Sequence, residues 1–170
     1  MNKYKYIRYF AYTIEILAIF VLQETPGLIP ELYGGRPLLL IPAALSIAMF
    51  ESVGAGMGFG IFCGLLLDFG AGSLLGFYGL LLTVVCYFVS LIAANLIQTN
   101  FLTAMITFLT VCAGIFLLHW FFFYLLSDYE YPLYALTAHY IPRFVYTLAV
   151  SPILYYFNRA FAVQIRPNDE

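Results

Sequence analysis

Glu15, Glu51, Asp68 and Arg143 fall in or beside long apolar runs, and His139 lies one turn before Arg143. A charge within hydrocarbon is costly, so such groups pair with one another or face water. Glu15 lies about 10 Å past Arg8 along a helix. Arg143 is expected at a comparable depth from the opposite membrane face, so an inward Glu15–Arg143 pair is one arrangement. Asp68 is the other candidate partner. His139 and Arg143 are four apart and share a helix face. A proton or substrate path would use such groups, and so would a structural bridge. The expectation is structural or assembly bridging.

Gly56, Gly60 and Gly64 follow one another at intervals of four, and Asp68 completes the series. Steps of four stay on one helix face, so these glycines form a groove that a second backbone can approach closely. Such a groove either packs another helix of the same bundle or docks another membrane protein. Gly54 and Gly58 form a second small stripe, which makes this segment thin on two sides and central to the bundle.

Catalytic constellations are not apparent. The chain lacks a Gly-x-Ser-x-Gly elbow, a His-Glu-x-x-His pair and a phosphate-binding loop. Cys63, Cys86 and Cys112 lie more than twenty residues apart inside apolar runs, unlike clustered metal ligands. They read as buried free thiols. His119 and His139 have no cysteine or acidic cluster at metal-ligand spacing. The expectation is therefore a protein that is not an enzyme, with no cofactor and no metal. No basic patch suits nucleic acid.

The elements that must position these residues are set by composition. Of 170 residues, 64% are hydrophobic and 9% are charged, and the mean hydropathy is +0.93. A soluble fold needs polar outer faces, whereas lipid solvates apolar ones. At about 20 residues per crossing, the length allows five or six spans and no separate globular domain. The reading is an all-α polytopic membrane protein, residues 1–170 forming one integral membrane domain. Its spans fall roughly at 7–23, 37–51, 53–68, 75–97, 101–126 and 133–157. The second and third are short and expected to pack inside the bundle or thin the bilayer locally. The N-terminal stretch lacks a cleavage site and reads as an uncleaved first span.

With six crossings and both termini in the cytoplasm, Lys3, Lys5, Arg8, Arg159 and Arg166 lie inside. Arg36 and Arg143 alone of the seven cations lie outside. Merging the second and third spans would lose this asymmetry. Of the 15 tyrosines, Tyr4, Tyr6, Tyr9, Tyr33, Tyr129, Tyr131 and Tyr134 cluster near span ends, as an interfacial belt does.

The stretch from Arg36-Pro37-Leu38-Leu39-Leu40-Ile41-Pro42 through Gly58-Phe59-Gly60-Ile61-Phe62-Cys63-Gly64-Leu65-Leu66-Leu67-Asp68 resembles the MreD family of rod shape-determining membrane proteins. So do Gly72 and the following Leu75-Gly76-Phe77-Tyr78-Gly79-Leu80-Leu81. The shared pattern is a proline-led apolar segment, a glycine helix reading G-x-x-x-G-L-x-x-D from Gly60 to Asp68, a glycine turn and L-G-x-x-x-L. It covers residues 36–82, and the flanks match by hydropathy.

The resemblance implies a non-enzymatic subunit of the bacterial elongation machinery in the cytoplasmic membrane. Such a subunit organises lateral peptidoglycan synthesis with an MreC-like protein, and through it MreB, RodA and a class B penicillin-binding protein. The family is also similar in fold to substrate-binding subunits of energy-coupling-factor vitamin transporters. That similarity supplies the alternative, a solute-binding subunit with Asp68, His139 and Arg143 near an outward pocket. Those subunits carry an Ala-x-x-x-Ala contact on the first helix, whereas here Ala11 and Ala18 are seven apart and Ala44 and Ala48 lie on the second span.

Overall fold

The computed structural model describes residues 2–28, 30, 36–71, 76–95, 100–125 and 136–165, with backbone alone at 2, 3, 71, 124, 125, 138 and 139. Six α-helices follow in order, with no strand among the described residues: α1 (Asn2–Glu24), α2 (Leu40–Phe50), α3 (Val53–Ala71), α4 (Phe77–Asn95), α5 (Phe101–Trp120) and α6 (Ile141–Gln164). Wider π-helical turns prolong α5 over Phe121–Leu125 and lead into α6 over Leu136–Tyr140.

Helix α2 has no polar face. All but Phe50 of its 11 residues are buried, as befits a helix that is apolar all round. It stands at the centre, and α1, α3, α4, α5 and α6 ring it in that order, α6 returning to α1. The helix alone rises roughly 16 Å, about half the hydrocarbon thickness. Non-helical residues 36–39 lead into it. Irregular backbone at such depth is tolerated only inside protein, where its polar groups find partners. Leu38 N–H donates to Thr147 Oγ1 at 3.1 Å, and Leu39 N–H donates to Gln23 Oε1 at 3.0 Å. Pro37 and Pro42 have no N–H to satisfy.

The side-chain contacts fix the direction of every helix. Gln23 near the end of α1 reaches the start of α2, and Arg8 near the start of α1 reaches Glu51 at its end. The carboxyl group of Glu24 lies over Gly70, so α3 runs parallel to α1. Tyr78 at the start of α4 stacks on His119 at the end of α5, and His119 meets Tyr140 at the entry to α6. Asn158 late in α6 returns to Glu15 of α1. The chain thus reverses at every connection, and both of its ends emerge at one end of the bundle.

Large apolar side chains cover the outside of the ring, among them Phe10, Ile14, Leu80, Phe88, Leu102 and Ile153. Among the described residues, four stretches are long and apolar enough to cross a membrane: Tyr4–Glu24, Val53–Gly70, Phe77–Asn95 and Phe101–Phe123. Helix α6 is more polar, because it carries Arg143, Asn158 and Arg159.

Helix ends differ from the expected span ends in three instructive places. Helix α3 continues three residues beyond Asp68, since that carboxyl group binds the next helix instead of stopping its own. At 19 residues, roughly 28 Å, it has ordinary spanning length. Helix α6 continues past Asn158 because that amide turns inward to Glu15. Helix α1 begins at Asn2, before the apolar run. Expected ends at residues 75, 97, 126 and 133 lie outside the described residues.

Candidate functional site

The α3–α4 hairpin brings the glycine series and Asp68 together. A Cβ at Gly64 would lie 2.5 Å from the Tyr78 carbonyl oxygen and 2.6 Å from Gly79 Cα. One at Gly60 would lie 2.9 Å from the Leu82 carbonyl oxygen and 3.0 Å from the Cys86 side chain. One at Gly56 would strike Ser90 Oγ and lie 3.2 Å from Ala48 Cα. The face bearing Gly56, Gly60 and Gly64 is therefore filled by α4, with α2 closing over its first residue. That closeness lets Ser90 Oγ reach across and donate to the Ala48 carbonyl of α2 at 2.7 Å. A Cβ at Gly54 or Gly58, on the other face, would meet no atom of the described residues within 4 Å.

Asp68 is 1% exposed and acts as the cap of α4. Its Oδ2 accepts the N–H groups of Gly76 at 2.9 Å and Gly79 at 3.0 Å, and its Oδ1 accepts that of Tyr78 at 3.0 Å. A helix start leaves N–H groups without partners and favours negative charge. Gly76, at the capping position, has no side chain of its own to offer. Its φ of +98° demands glycine there, so the cap comes from the preceding helix.

A second polar cluster lies toward the termini. Arg8 Nη2 donates to Glu51 Oε2 at 2.9 Å, and Arg8 Nε is in ion-pair contact with Glu51 Oε1. Tyr12 is fully buried beside this pair, its ring edge-on to Phe59 and Phe161. Glu15 lies one turn further along α1, and its Oε1 accepts Asn158 Nδ2 at 2.8 Å.

Arg143 belongs to the opposite end. Its Nε donates to the Arg36 carbonyl at 2.8 Å, which helps hold the non-helical entry to α2. Glu15 is thus partnered by Asn158 and not by Arg143. Nearby, His119 Nδ1 and Tyr140 Oη share a hydrogen bond of 2.6 Å, and His119 stacks between Tyr78 and Phe123. The side chain of His139 lies outside the described residues, as do the loops around residues 31–35 and 126–135. Among the described residues, no three His, Cys, Asp or Glu side chains converge as metal ligands. Cys63, Cys86 and Cys112 are buried free thiols.

Sequence reasoning missed Arg8, Asn158, Gln23 and Thr147. Arg8 counted only as an inner cation, and Asn158 only as a helix stop. A signal for Asn158 was available: a carboxamide within an apolar helix needs a partner.

This closed ring of apolar helices around a buried one is an all-α polytopic membrane protein. A family model described as rod shape-determining protein MreD matches residues 4–164 of the chain. The chain belongs to that family, whose members are shape-determining membrane proteins. Neither a curated protein nor a solved structure matches it, so the expected likeness to transporter subunits gains no support.

Proposed function

We propose that this MreD-family chain is a non-enzymatic scaffold of the bacterial elongation machinery that organises lateral peptidoglycan synthesis. The observation behind this reading is that the interior is committed to the bundle itself. The Gly56, Gly60 and Gly64 face takes α4, Asp68 caps α4, Glu51 holds Arg8, and α2 fills the centre. What the chain offers to others is its outer apolar surface and its loops. The partner is an MreC-like protein, and through it MreB, RodA and a class B penicillin-binding protein. Residues 1–170 act as one multi-pass domain of the cytoplasmic membrane, with both termini in the cytoplasm, where Lys5, Arg8 and Arg159 gather.

Depleting the protein in a rod-shaped host is expected to round the cells and scatter new wall insertion. Unchanged rod shape with undisturbed insertion would contradict the reading. No observation favours a solute-binding role over this one, since α2 takes the centre of the bundle.

A further inference from the structure

Glu15 is 6% exposed and Asn158 is fully buried, and the two join the first helix to the last. Asn158 Nδ2 donates to Glu15 Oε1 at 2.8 Å and to the Leu154 carbonyl at 3.0 Å. The other oxygens of the pair, Glu15 Oε2 and Asn158 Oδ1, are both buried and have no hydrogen-bond partner among the described residues. An ionised carboxylate and an amide carbonyl are both acceptors, so these two oxygens cannot satisfy each other. A single proton resolves both. Placed on Oε2, it makes a carboxylic acid O–H that donates to Asn158 Oδ1. The result is the two-bond ring of an acid and a primary amide.

Charge balance points the same way. The groups around Glu15 are Tyr12 on its own helix, Cys63 on α3 and Asn158 on α6, and Arg8 and Glu51 lie around Tyr12, one turn nearer the start of α1. Arg159 is exposed on the outside of α6. No cation is among the groups around Glu15, and Arg8, seven residues before it on α1, is held by Glu51. A second ionised carboxylate would leave a net negative charge in apolar surroundings, which is costly. We propose that Glu15 and Asn158 form a proton-binding site between α1 and α6, the carboxyl group of Glu15 holding the proton and the carbonyl of Asn158 accepting it. The site does not depend on the scaffold reading above.

The test uses the full chain in lipid nanodiscs, comparing infrared spectra of wild type and E15Q at neutral pH. The expected difference is loss of one carboxylic-acid carbonyl stretch, sensitive to deuterium exchange, with the carboxylate bands unchanged. An N158L variant is expected to shift that stretch, because it removes the hydrogen-bond partner of the acid. Loss of carboxylate bands in E15Q would overturn the proposal. E15Q is expected to unfold at the wild-type temperature, since its amide can keep both bonds, and E15A at a lower one. An E15Q chain that fails to fold would also overturn it, as would a wild-type stability that rises with sodium, which marks a bound cation in place of the proton.

Discussion

Asp68 sits one turn before the end of α3, and its carboxylate accepts three backbone N–H groups of the next helix. An amide there keeps one acceptor oxygen and turns an NH2 group toward a donor. D68N is therefore expected to lower stability by about 1–3 kcal/mol, the cost of leaving buried donors unmatched. Denaturant titration in mixed micelles would show this, and wild-type stability in D68N would contradict the capping role. The glycines provide a paired test. G64A forces a methyl group against the backbone of Tyr78 and Gly79, which cannot swing aside. It is expected to cost about 2–3 kcal/mol, as overpacking does. G58A places its methyl group in open space and is expected to be neutral, or to stabilise by up to about 1 kcal/mol through helix propensity. Equal effects of the two substitutions would refute the assignment of faces.

At the scale of elements, α1 and α2 are clamped at both ends, by Gln23 at Leu39 and by Arg8 at Glu51. R8Q leaves Glu51 buried and unpaired, for which the expected loss is about 3–5 kcal/mol. The R8Q/E51Q double variant is expected to recover much of that loss, and thermal unfolding of the four chains would show whether the two losses couple. Simple additivity would mean that the pair does not hold these helices together. The positions of these helices were largely legible in the sequence, because apolar runs and polar breaks mark them directly. The role of α2 was legible in part: a short second span is expected to pack inside the bundle or thin the bilayer, but the centre expected for the glycine-rich third segment is taken by α2, with α3 in the ring. Hydropathy treats burial in lipid and burial in protein alike, so a half-length helix with a non-helical entry reads as a short span. Asp68 misled for a related reason: a carboxylate ending an apolar run looks like a helix stop, and only the fold shows it three residues inside α3. Glu15 was recognised as needing a partner. The partner proved to be an uncharged amide more than a hundred residues away, which charge pairing could not suggest.

In the whole molecule the interior serves the bundle, and the proposed scaffold role leaves the outer surface for assembly. In membranes, helix association depends on close packing and polar contacts more than on apolar burial; the closest packing joins α3 to α4 and α2, and polar contacts tie α1 and α6 to each other and to the α2 segment. The outward residues of α1, α3, α4, α5 and α6 remain for lipid and partners. The most direct test is photo-crosslinking in living cells, with a photoreactive residue placed singly at exposed Ile14, Ile61, Leu80, Ile106 and Ile153 and at buried Leu45 and Ile47. The proposed scaffold role predicts crosslinks to another elongation protein from one contiguous set of exposed positions and none from α2. Crosslinks to a partner from Leu45 or Ile47, or from no outward position at all, would contradict it.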